Sequence, residues 1–536
     1  MKSGSPFKPP PRGSGSLSRR NALTGAAALA GLGAAGLSSC GDSNAERMNP
    51  GSNDAGVPSG AGGGGGGSGG GNSPDANPGD PNPTPGPDSN SGSPSGRPRV
   101  AVIGGGAGGI FTAYLLGGVC DVDLFEERPK LGGHCDSQFV DYEGHRIAVD
   151  LGAQFFHPDT HPLYTTLLEE IGLFKPDDTD ADETVDAPGS VCVFPTSGGT
   201  PVFASTEPLA TPIRAIEFAT YAQQARQAIT GAISWDVTLD DWIKSLSVSQ
   251  PFKDDLLYPW LTSLIGTQRA KALVTSARSI LQTFALAFPQ NLLQGARTYN
   301  SAIGLGGNLQ RIAEGSQNTR IHLTSPVTAL SFENRLWHLQ TPAGRSGPFD
   351  AIVVNAPPRV SKNFFESLPG TGALAALLGA YDYFDSRVVI HTDPAYVHPD
   401  RKRWAVYNAG ITDGECEGSA WIGGLHEKLP SGATVDIFKS WAQSRRADPK
   451  NILLERRFKH PLITPATVRA ARGLGEWQGR NGVFFGGQHT TGTDMQDSAL
   501  FSAMKVAQAL APASPTLSAL KARLTLRGRT AVSYAL

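Results

Sequence analysis

A glycine-rich turn between two apolar segments constrains the fold of this chain more than any other feature. Residues 100–109 give a strand followed by Gly104-x-Gly106-x-x-Gly109 at the start of a helix, and residues 122–126 give a second strand that ends in Glu126. Gly104 permits the turn, Gly106 lets the backbone approach a pyrophosphate at the helix N-terminus, and Gly109 lets helix and strand pack closely. Glu126, about 20 residues further on, is placed to accept hydrogen bonds from an adenosine ribose. The pattern predicts a dinucleotide site, and the alternative is a βαβ turn without a ligand.

Further glycine segments lie outside this unit. Arg128 precedes Gly132-Gly133-His134, and Asp150-Leu-Gly152-Ala153-Gln154-Phe155 follows; near the other end, residues 482–488 form a glycine-ended strand before an apolar helix over 497–510. With these segments the chain resembles the flavin-containing amine oxidase superfamily. Between residues 387 and 510 it is similar to a subgroup of predicted NAD/FAD-binding oxidoreductases, through stretches such as Val389-Ile-His391 and His460-Pro-Leu-Ile.

The resemblance implies FAD as the cofactor and gives each segment a role. The Arg-x-x-x-Gly-Gly segment is expected to wrap the pyrophosphate and ribityl chain, and the Asp-x-Gly-Ala-Gln segment to run beside the flavin. A backbone contact from Val327 to the adenine, and a helix N-terminus directed at the flavin pyrimidine, complete the expected site, because a helix N-terminus stabilises the negative charge of a reduced flavin. The expected cofactor-binding residues are Gly104, Gly106, Ala107, Gly108, Gly109, Glu126, Arg128, Gly132, Gly133, His134, Gly152, Ala153, Gln154, Phe155, Val327, Gly487, Gln488, Asp497, Ser498 and Ala499.

The resemblance also implies an α/β fold, with a Rossmann-like FAD-binding domain and an inserted substrate domain of helices plus a mixed antiparallel sheet. We expect the FAD-binding domain over 99–160, 300–360 and 480–510, the substrate domain over 161–299 and 361–479, and a C-terminal tail over 511–536 without an assigned role. Helical periodicity lies within 163–173, 216–233, 239–246 and 254–265. Short β-branched runs with turns between them predict an antiparallel sheet over 320–440. The aromatic residues of the helical region form a core or, alternatively, line a substrate cavity: Trp242, Tyr258, Trp260 and Phe284.

The first hundred residues have a different character. Arg19-Arg20, a mildly apolar run and Ser38-Ser39-Cys40 have the layout of a twin-arginine export signal with a lipoprotein cleavage site. Residues 41–98 are rich in Gly, Ser, Pro, Asn and Asp and are expected to form a flexible linker. The sequence therefore predicts an exported enzyme that is anchored to a membrane by lipid on Cys40, on the periplasmic or extracytoplasmic side. A basic tail on a cytoplasmic enzyme is the alternative.

Composition sets further bounds. The net charge of −2 gives no reason to expect nucleic acid as a partner. Cys120, Cys135, Cys192 and Cys416 are widely spaced, so their spacing leaves pairing open, and Cys135 beside His134 is a packed thiol or a redox group. The spacing of the Cys and His residues indicates no metal site.

The catalytic residues leave fewer signals. Amine oxidases carry a lysine near the flavin, and the resemblance places Arg387 at that position; arginine does not readily release a proton. His391 and His489 are the candidates for proton exchange, each with a structural role as the alternative. We therefore predict hydride transfer from a small organic or lipid-like substrate to the flavin, with oxygen or a membrane component as the electron acceptor. The alternatives are an isomerase or desaturase of unsaturated chains and a non-catalytic FAD-binding lipoprotein.

Overall fold

The computed structural model describes residues 95–175, 184–288, 296–443, 445, 447–529, 534 and 536. In chain order the strands are β1 (Arg99–Ile103), β2 (Asp121–Phe125), β3 (Ser137–Tyr142), β4 (His145–Asp150), β5 (Phe155–Phe156), β6 (Thr184–Gly189), β7 (Val191–Pro195), β8 (Phe203–Ala204), β9 (Ala296–Ser301), β10 (Thr319–His322), β11 (Ala329–Glu333), β12 (Leu336–Thr341), β13 (Gly344–Phe349), β14 (Ala351–Val354), β15 (Asp382–His391), β16 (Tyr407–Thr412), β17 (Glu415–Trp421), β18 (Phe438–Trp441), β19 (Ile452–Leu462) and β20 (Val483–Phe485). The helices are α1 (Ala107–Leu116), α2 (Pro162–Glu170), α3 (Pro212–Thr230), α4 (Leu239–Ser245), α5 (Gln250–Phe252), α6 (Tyr258–Ile265), α7 (Arg269–Leu273), α8 (Ala277–Phe284), α9 (Leu305–Glu314), α10 (Pro358–Glu366), α11 (Gly372–Gly379), α12 (Pro465–Leu474), α13 (Gln496–Leu510) and α14 (Pro515–Leu526).

A five-stranded parallel sheet carries the glycine-rich turn, in the order β10-β2-β1-β14-β20. β1 lies at its centre, and its residues from Val100 to Ile103 are at most 3% exposed because both faces of the sheet are covered. Val102 pairs with Leu124 on one side and with Val353 on the other. All five strands are parallel, so their carboxyl ends meet at one edge, where ligands bind in open α/β sheets.

Helices α1 and α13 pack together on this sheet, and their apolar residues join one core. Helix α14, from the C-terminal stretch to which the sequence assigned no role, adds Leu517, Leu520 and Leu524 to the same core, together with the ring of Tyr534. The C-terminal stretch is therefore part of the packed structure around the parallel sheet.

A seven-stranded mixed sheet, in the order β19-β15-β18-β17-β16-β7-β8, forms the second large sheet. Its strands are antiparallel except for the β16 and β7 pair, so the predicted mixed sheet is confirmed. The predicted helices are present as α2, α3, α4 and α6. Trp242, Tyr258 and Trp260 are at most 6% exposed in a core between these helices and the sheet, with Phe284 packed against it. Their role is therefore that of a hydrophobic core.

One expectation for 320–440 was wrong. β10 and β14 lie within that region but pair in parallel, β10 with β2 and β14 with β1, so both belong to the five-stranded sheet. The antiparallel run begins with β11 to β13 instead. The predicted division into FAD-binding and substrate domains stays a prediction. Within the described part of the chain, no helix combines the length and the apolar character needed to cross a bilayer. The proposed export signal, Cys40 and most of the linker lie outside the described residues.

Candidate flavin site

The glycine turn after β1 is built as its spacing predicts. Gly104 has φ +104°, a left-handed value that favours glycine, and a Cβ there would lie 3.0 Å from the backbone of Asn355 and Ala356. At Gly109 a Cβ would lie only 1.9 Å from the carbonyl oxygen of Gly104, so this glycine allows helix α1 to pack against the turn. Helix α1 begins after Gly106, and no side chain caps it. Its first N–H groups are therefore suited to an anion.

Glu126 closes the other end of the βαβ unit. Its Oε2 accepts a hydrogen bond from the Gly105 N–H at 2.6 Å, and its Oε1 accepts one from the Arg128 N–H at 2.9 Å. The side chain is 7% exposed and lines the cavity described below. Each carboxylate oxygen has a second lone pair, so Glu126 is oriented by the backbone and can still accept hydrogen bonds from a ribose.

The second glycine segment lies directly against the first. Gly132 donates its N–H to the carbonyl oxygen of Gly105 at 2.9 Å, and Gly106 and Gly132 form a parallel bridge. A Cβ on Gly106 would lie 3.7 Å from the Cα of Gly133. His134 continues this segment, and its carbonyl oxygen accepts a hydrogen bond from the Ala153 N–H at 3.1 Å. The Arg-x-x-x-Gly-Gly and Asp-x-Gly-Ala segments are thus joined through their backbones.

The third glycine segment follows β20 and reaches the same place from the far end of the chain. Gly486 donates its N–H to the carbonyl oxygen of Val354 at 3.1 Å, and Gly487 has φ +101°. A Cβ on Gly108 would lie 2.8 Å from the Cα of Gly487 and from Oδ1 of Asn355. Helix α1 and the loop after β20 can therefore approach closely only because position 108 is glycine.

These segments surround one cavity at the carboxyl edge of the parallel sheet, with a volume of about 340 Å³. Both amide atoms of Asn355 and the Nε2 of Gln496 are buried without a hydrogen-bond partner, and both residues line the cavity. Buried polar atoms normally have partners, so these atoms indicate a polar ligand. The backbone cradle, the exposed helix N-terminus, Glu126 and the unpartnered amides fit a dinucleotide cofactor.

Most of the expected cofactor-binding residues line this cavity. They are Gly104, Gly106, Ala107, Gly108, Glu126, Arg128, Gly132, Gly133, His134, Gly152, Ala153, Val327, Gly487, Gln488 and Ala499. Five do not: Gly109, Gln154, Phe155, Asp497 and Ser498. Ser498 donates its Oγ–H to the carbonyl oxygen of Thr493 at 2.6 Å. Gln154 is buried beside the site, whereas Phe155 is 36% exposed in the edge strand β5.

Asp497 requires a correction, because its side chain turns into the protein. Its carboxylate accepts a hydrogen bond from the Tyr164 N–H at 2.6 Å and one from the Tyr534 hydroxyl at 2.8 Å. Burial raises the pKa of Asp497 to about 7, although these hydrogen bonds partly oppose the shift. Residues of the first turn of α13 still line the cavity, through Gln496 and Ala499. The helix terminus reaches the site, but the Asp497 carboxylate holds α2 and the C-terminal stretch instead.

The three catalytic candidates from the sequence do not line the cavity. Arg387 forms ion pairs with Asp448 at 2.5 Å and Glu455 at 2.9 Å, and these acids hold its guanidinium at the sheet surface. His391 is fully buried in the mixed sheet, where its Nε2 shares a 2.8 Å hydrogen bond with Ser440.

His489 lies closer, behind the cofactor loop. A Cβ on Gly487 would be 3.4 Å from its Nδ1, and its Nε2 is buried without a hydrogen-bond partner. Burial lowers the pKa of His489 to about 4, so its imidazole is neutral near pH 7. His391 has a pKa of about 4 for the same main reason. Both histidines therefore pack as neutral side chains.

Sequence reasoning missed a polar cluster in the cavity wall. One ring nitrogen of His134, one of His460 and one carboxylate oxygen of Asp494 all lie within 4.8 Å of one another. Arg359 and Lys459 line the same cavity and add positive charge. No sequence spacing links positions 134, 460 and 494, so the cluster becomes visible only in the fold. The His460-Pro461 stretch, noted for its resemblance, was the one available signal.

A buried lysine was missed as well. Lys439 in β18 is 1% exposed and donates a hydrogen bond to the carbonyl oxygen of Gly152, which lines the cavity. Burial lowers the pKa of Lys439, and burial raises that of the neighbouring Asp150, whose Oδ1 accepts the Leu305 N–H at 3.1 Å. A lone lysine within the apolar strand Phe438–Trp441 is the sequence signal. Lys439 supports the backbone of the cavity wall from behind.

None of the four cysteines among the described residues forms a disulfide. Cys120, Cys135, Cys192 and Cys416 are all buried and free. Burial raises the pKa of the Cys135 thiol to about 12, so it stays protonated and unreactive. Of the two roles considered for Cys135, a packed thiol and a redox group, the structure supports the packed thiol.

The fold and the site together define a dinucleotide-dependent protein with a glycine cradle built from both ends of the chain. The model of the family described as flavin containing amine oxidoreductase matches residues 107–392. The chain therefore belongs to this family, its cofactor is FAD, and the predicted α/β fold is confirmed.

Individual relatives extend the comparison. Tryptophan 2-monooxygenase from Pantoea agglomerans pv. gypsophilae is 41% identical over 70 residues, which is 12% of this chain and 12% of that protein. The enzyme of the same name from Pseudomonas savastanoi is 39% identical over 69 residues, again 12% of each chain. The matches thus span only a small part of these relatives.

Solved structures share the fold over most of the chain. A CLA-producing fatty acid isomerase from P. acnes has a TM-score of 0.54 and 13% identity, over 77% of this chain and 98% of that chain. Putrescine oxidase with putrescine bound has a TM-score of 0.52 and 13% identity, over the same shares of the two chains. At such low identity these structures establish the fold and leave the substrate open.

Proposed function

We propose that the protein is an FAD-dependent oxidoreductase that takes a hydride from a small organic or lipid-like substrate and passes the electrons to oxygen or another acceptor. One observation carries this proposal. Three glycine segments from distant parts of the chain meet at one cavity, at Gly106, Gly133 and Gly487, with Glu126 at its ribose end. Because segments from distant parts of the chain line this one cavity, we expect the site to hold a whole dinucleotide cofactor.

The residues divide the work of holding the cofactor. Glu126 would hold the ribose, the N-terminus of α1 and the side chain of Arg128 the pyrophosphate, and the loop at Gly487 the ribityl chain. The N-terminus of α13 would stabilise negative charge on the pyrimidine side. Bound FAD supplies a two-electron acceptor. Apolar wall residues such as Val360 and Met495 exclude water from the site.

The test is the visible absorption spectrum of the purified protein, recorded without oxygen before and after addition of candidate donors. We expect a flavin band in the isolated protein and bleaching of that band by one donor class among L-tryptophan, putrescine, simple alcohols and linoleic acid. Absence of flavin at saturating FAD would disprove the proposal. A flavin band that no donor bleaches would instead favour the isomerase described next.

A second candidate function is an isomerase or desaturase of unsaturated chains, in which the hydride returns to the substrate. One observation favours it: Arg387, at the position expected for the amine oxidase lysine, is held away from the cavity by Asp448 and Glu455. The chain also resembles a fatty acid isomerase in fold as closely as it resembles putrescine oxidase. Product formation without oxygen consumption would identify this function.

We also propose export through the twin-arginine route and lipid attachment at Cys40, with residues 41–98 as the linker to the enzyme. The support is the Arg19-Arg20 pair, the apolar run and the Ser-Ser-Cys40 site in the sequence. Metabolic labelling with a radioactive fatty acid tests it. Label should enter the wild-type protein and be lost in Cys40→Ala, whereas equal labelling of both, or of neither, would refute the anchor.

A further inference from the structure

The polar cluster in the cavity wall has the geometry of a paired histidine and carboxylate. Nδ1 of His460 lies 3.5 Å from Oδ2 of Asp494. The ring of His134 lies on the other side, with its centroid 4.9 Å from that of His460. All three residues line the flavin cavity.

Aromatic packing fixes the two imidazole rings. The ring of His460 stacks on Phe384, with centroids 5.6 Å apart and an angle of 27° between the planes. Phe458 packs against both imidazoles, at 5.3 Å from His134 and 5.7 Å from His460. The rings are therefore held in place before a substrate binds, as a preorganised proton acceptor requires.

The charges in the cluster are distributed unequally. Burial alone would raise the pKa of Asp494, but the neighbouring His460 outweighs this and lowers it, so the carboxylate is ionised. Burial, with the neighbouring His460, lowers the pKa of His134 to about 4, and the charges of Arg128 and Arg359 act in the same direction. His134 is thus neutral near pH 7, and Asp494 is the acid that can accept the Nδ1–H of His460.

The cluster adjoins two segments that are expected at the flavin ring. Asp494 directly precedes Met495, which caps α13, the helix expected at the flavin pyrimidine. His134 is bound through its carbonyl oxygen to Ala153 of the segment expected beside the flavin. The other Asp, Glu, Lys and Arg residues that line the cavity are Glu126, Glu127, Arg128, Arg359 and Lys459. These contacts place an ionisable pair beside the expected flavin ring.

We propose that His460, oriented by Asp494 and flanked by neutral His134, accepts a proton from the substrate, which therefore carries an O–H or N–H on the carbon that is oxidised. The inference rests on the proposed oxidoreductase function. Oδ2 of Asp494 faces Nδ1 at 3.5 Å, so the proton is taken at Nε2. This is the arrangement in which a carboxylate fixes the tautomer of a general base and stabilises the imidazolium that forms.

The chemical step is balanced with FAD as the oxidant. The X–H bond of the substrate breaks and its proton moves to Nε2 of His460, while the electron pair left on X forms the C=X bond. The hydrogen of the C–H bond leaves with both electrons as hydride to the oxidised cofactor. His460 then releases its proton to solvent, so the residues of the cluster return to their first state.

The first experiment needs no substrate. It records long-range ¹H–¹⁵N spectra of the holoenzyme labelled with ¹⁵N-histidine, at pH 8, with His460→Gln used to assign the signal. We expect His460 as the Nδ1–H tautomer in the wild type and loss of that preference in Asp494→Ala. Asp382→Ala, which removes an exposed acid of β15, is the matched control and should leave the signal unchanged.

The second experiment tests proton transfer with the flavin in place. His460→Gln should retain bound flavin and its reduction by dithionite, but reduce the rate of flavin reduction by the best donor at least about 100-fold. The pH dependence of that rate should also disappear in His460→Gln. His145→Gln, in the hairpin of β3 and β4, should behave as the wild type.

The outcomes separate the two proposals. Absence of bound flavin in the wild type refutes the oxidoreductase itself. Bound flavin with an unchanged His460 tautomer in Asp494→Ala, or with an unchanged rate in His460→Gln, refutes only the role of His460. Loss of the His134 and His460 signals on addition of one equivalent of Zn²⁺ would show a metal site in place of a proton acceptor and would also overturn the inference.

Discussion

Glu126 accepts a hydrogen bond from the backbone N–H of Gly105 at 2.6 Å, so the acid that ends β2 also fixes the turn that ends β1. Its second oxygen accepts the Arg128 N–H, which begins the next cofactor segment. The same carboxylate thus joins two segments and presents free lone pairs to the cavity. Its position follows from the parallel pairing of β1 with β2, which places Ile103 beside Phe125.

Replacement of Glu126 by Gln is expected to weaken FAD binding about 10-fold or more. The amide nitrogen of Gln would face one of the two backbone N–H donors, and one acceptor for the ribose would be lost; a hydrogen bond to a charged group contributes about 1.5–3 kcal/mol. Titration of the apoprotein with FAD by calorimetry measures the change. Glu476→Gln, at an exposed position, should bind FAD normally. Unchanged affinity in Glu126→Gln would exclude the ribose contact.

Replacement of Gly108 by Ala is expected to lower flavin content sharply. The new Cβ would lie 2.8 Å from the Cα of Gly487. Because a backbone atom cannot move aside as a flexible side chain can, α1 and the loop after β20 must separate. Overpacking of this kind costs about 1–3 kcal/mol. The ratio of flavin to protein absorbance and the melting temperature report the effect. Gly372→Ala, where a Cβ meets nothing within 4 Å, is the control, and equal flavin content in both variants would contradict the close approach.

Replacement of Arg387 by Met is expected to leave flavin content unchanged and the rate of flavin reduction within about twofold. Its partners are exposed acids, and such surface ion pairs contribute about 1 kcal/mol or less. Stopped-flow absorbance with the best donor measures the rate. Arg457→Met removes a neighbouring, more exposed partner of Glu455 as a control. A large loss of rate confined to Arg387→Met would return the catalytic role to this position.

Stability is expected to fall as the pH is lowered from about 6.5 to about 4, in part through His391. Its folded-state pKa is about 4, below the ordinary histidine pKa of 6.5, chiefly because of burial, with Asp393 raising it and Arg445 lowering it. The unfolded chain therefore binds more protons in this window, so acid favours unfolding. His391→Gln should reduce this loss by about 1–3 kcal/mol.

Urea midpoints at pH 4.5, 5.5, 6.5 and 7.5 test this expectation. The variant should be less stable than the wild type at pH 7.5, because it alters the hydrogen bond to Ser440, and should approach the wild type at pH 4.5. His426→Gln, in a surface loop, should retain the wild-type pH dependence. Parallel curves for the wild type and His391→Gln would show that His391 does not contribute.

Most of the cofactor cradle could be predicted from sequence because its requirements are local. A positive φ at Gly104 and the tight packing of Gly109 follow from a turn of fixed length between a strand and a helix. The catalytic candidates were less successful for a physical reason. Whether a strand residue faces a cavity depends on sheet register and twist, and β15 turns Arg387 to the surface.

Asp497 illustrates the same limit at a helix terminus. Its place in the first turn of α13 is set by the sequence, but the direction of its carboxylate depends on Tyr164 and Tyr534, which lie far away along the chain. The ring of Tyr534 belongs to a stretch that showed no motif. Packing of the C-terminal residues therefore decided the role of a residue that the motif alone assigned to the cofactor.

The sequence by itself determined the βαβ unit, the three glycine segments and the family, because each depends on backbone conformations that few residues other than glycine allow. Only the tertiary structure decided which polar side chains share the cavity. His134 follows the second glycine segment, His460 lies in β19 and Asp494 precedes α13, and no spacing along the chain encodes their meeting. Backbone conformation depends on the local sequence, whereas side-chain clusters form where elements distant in the chain pack together.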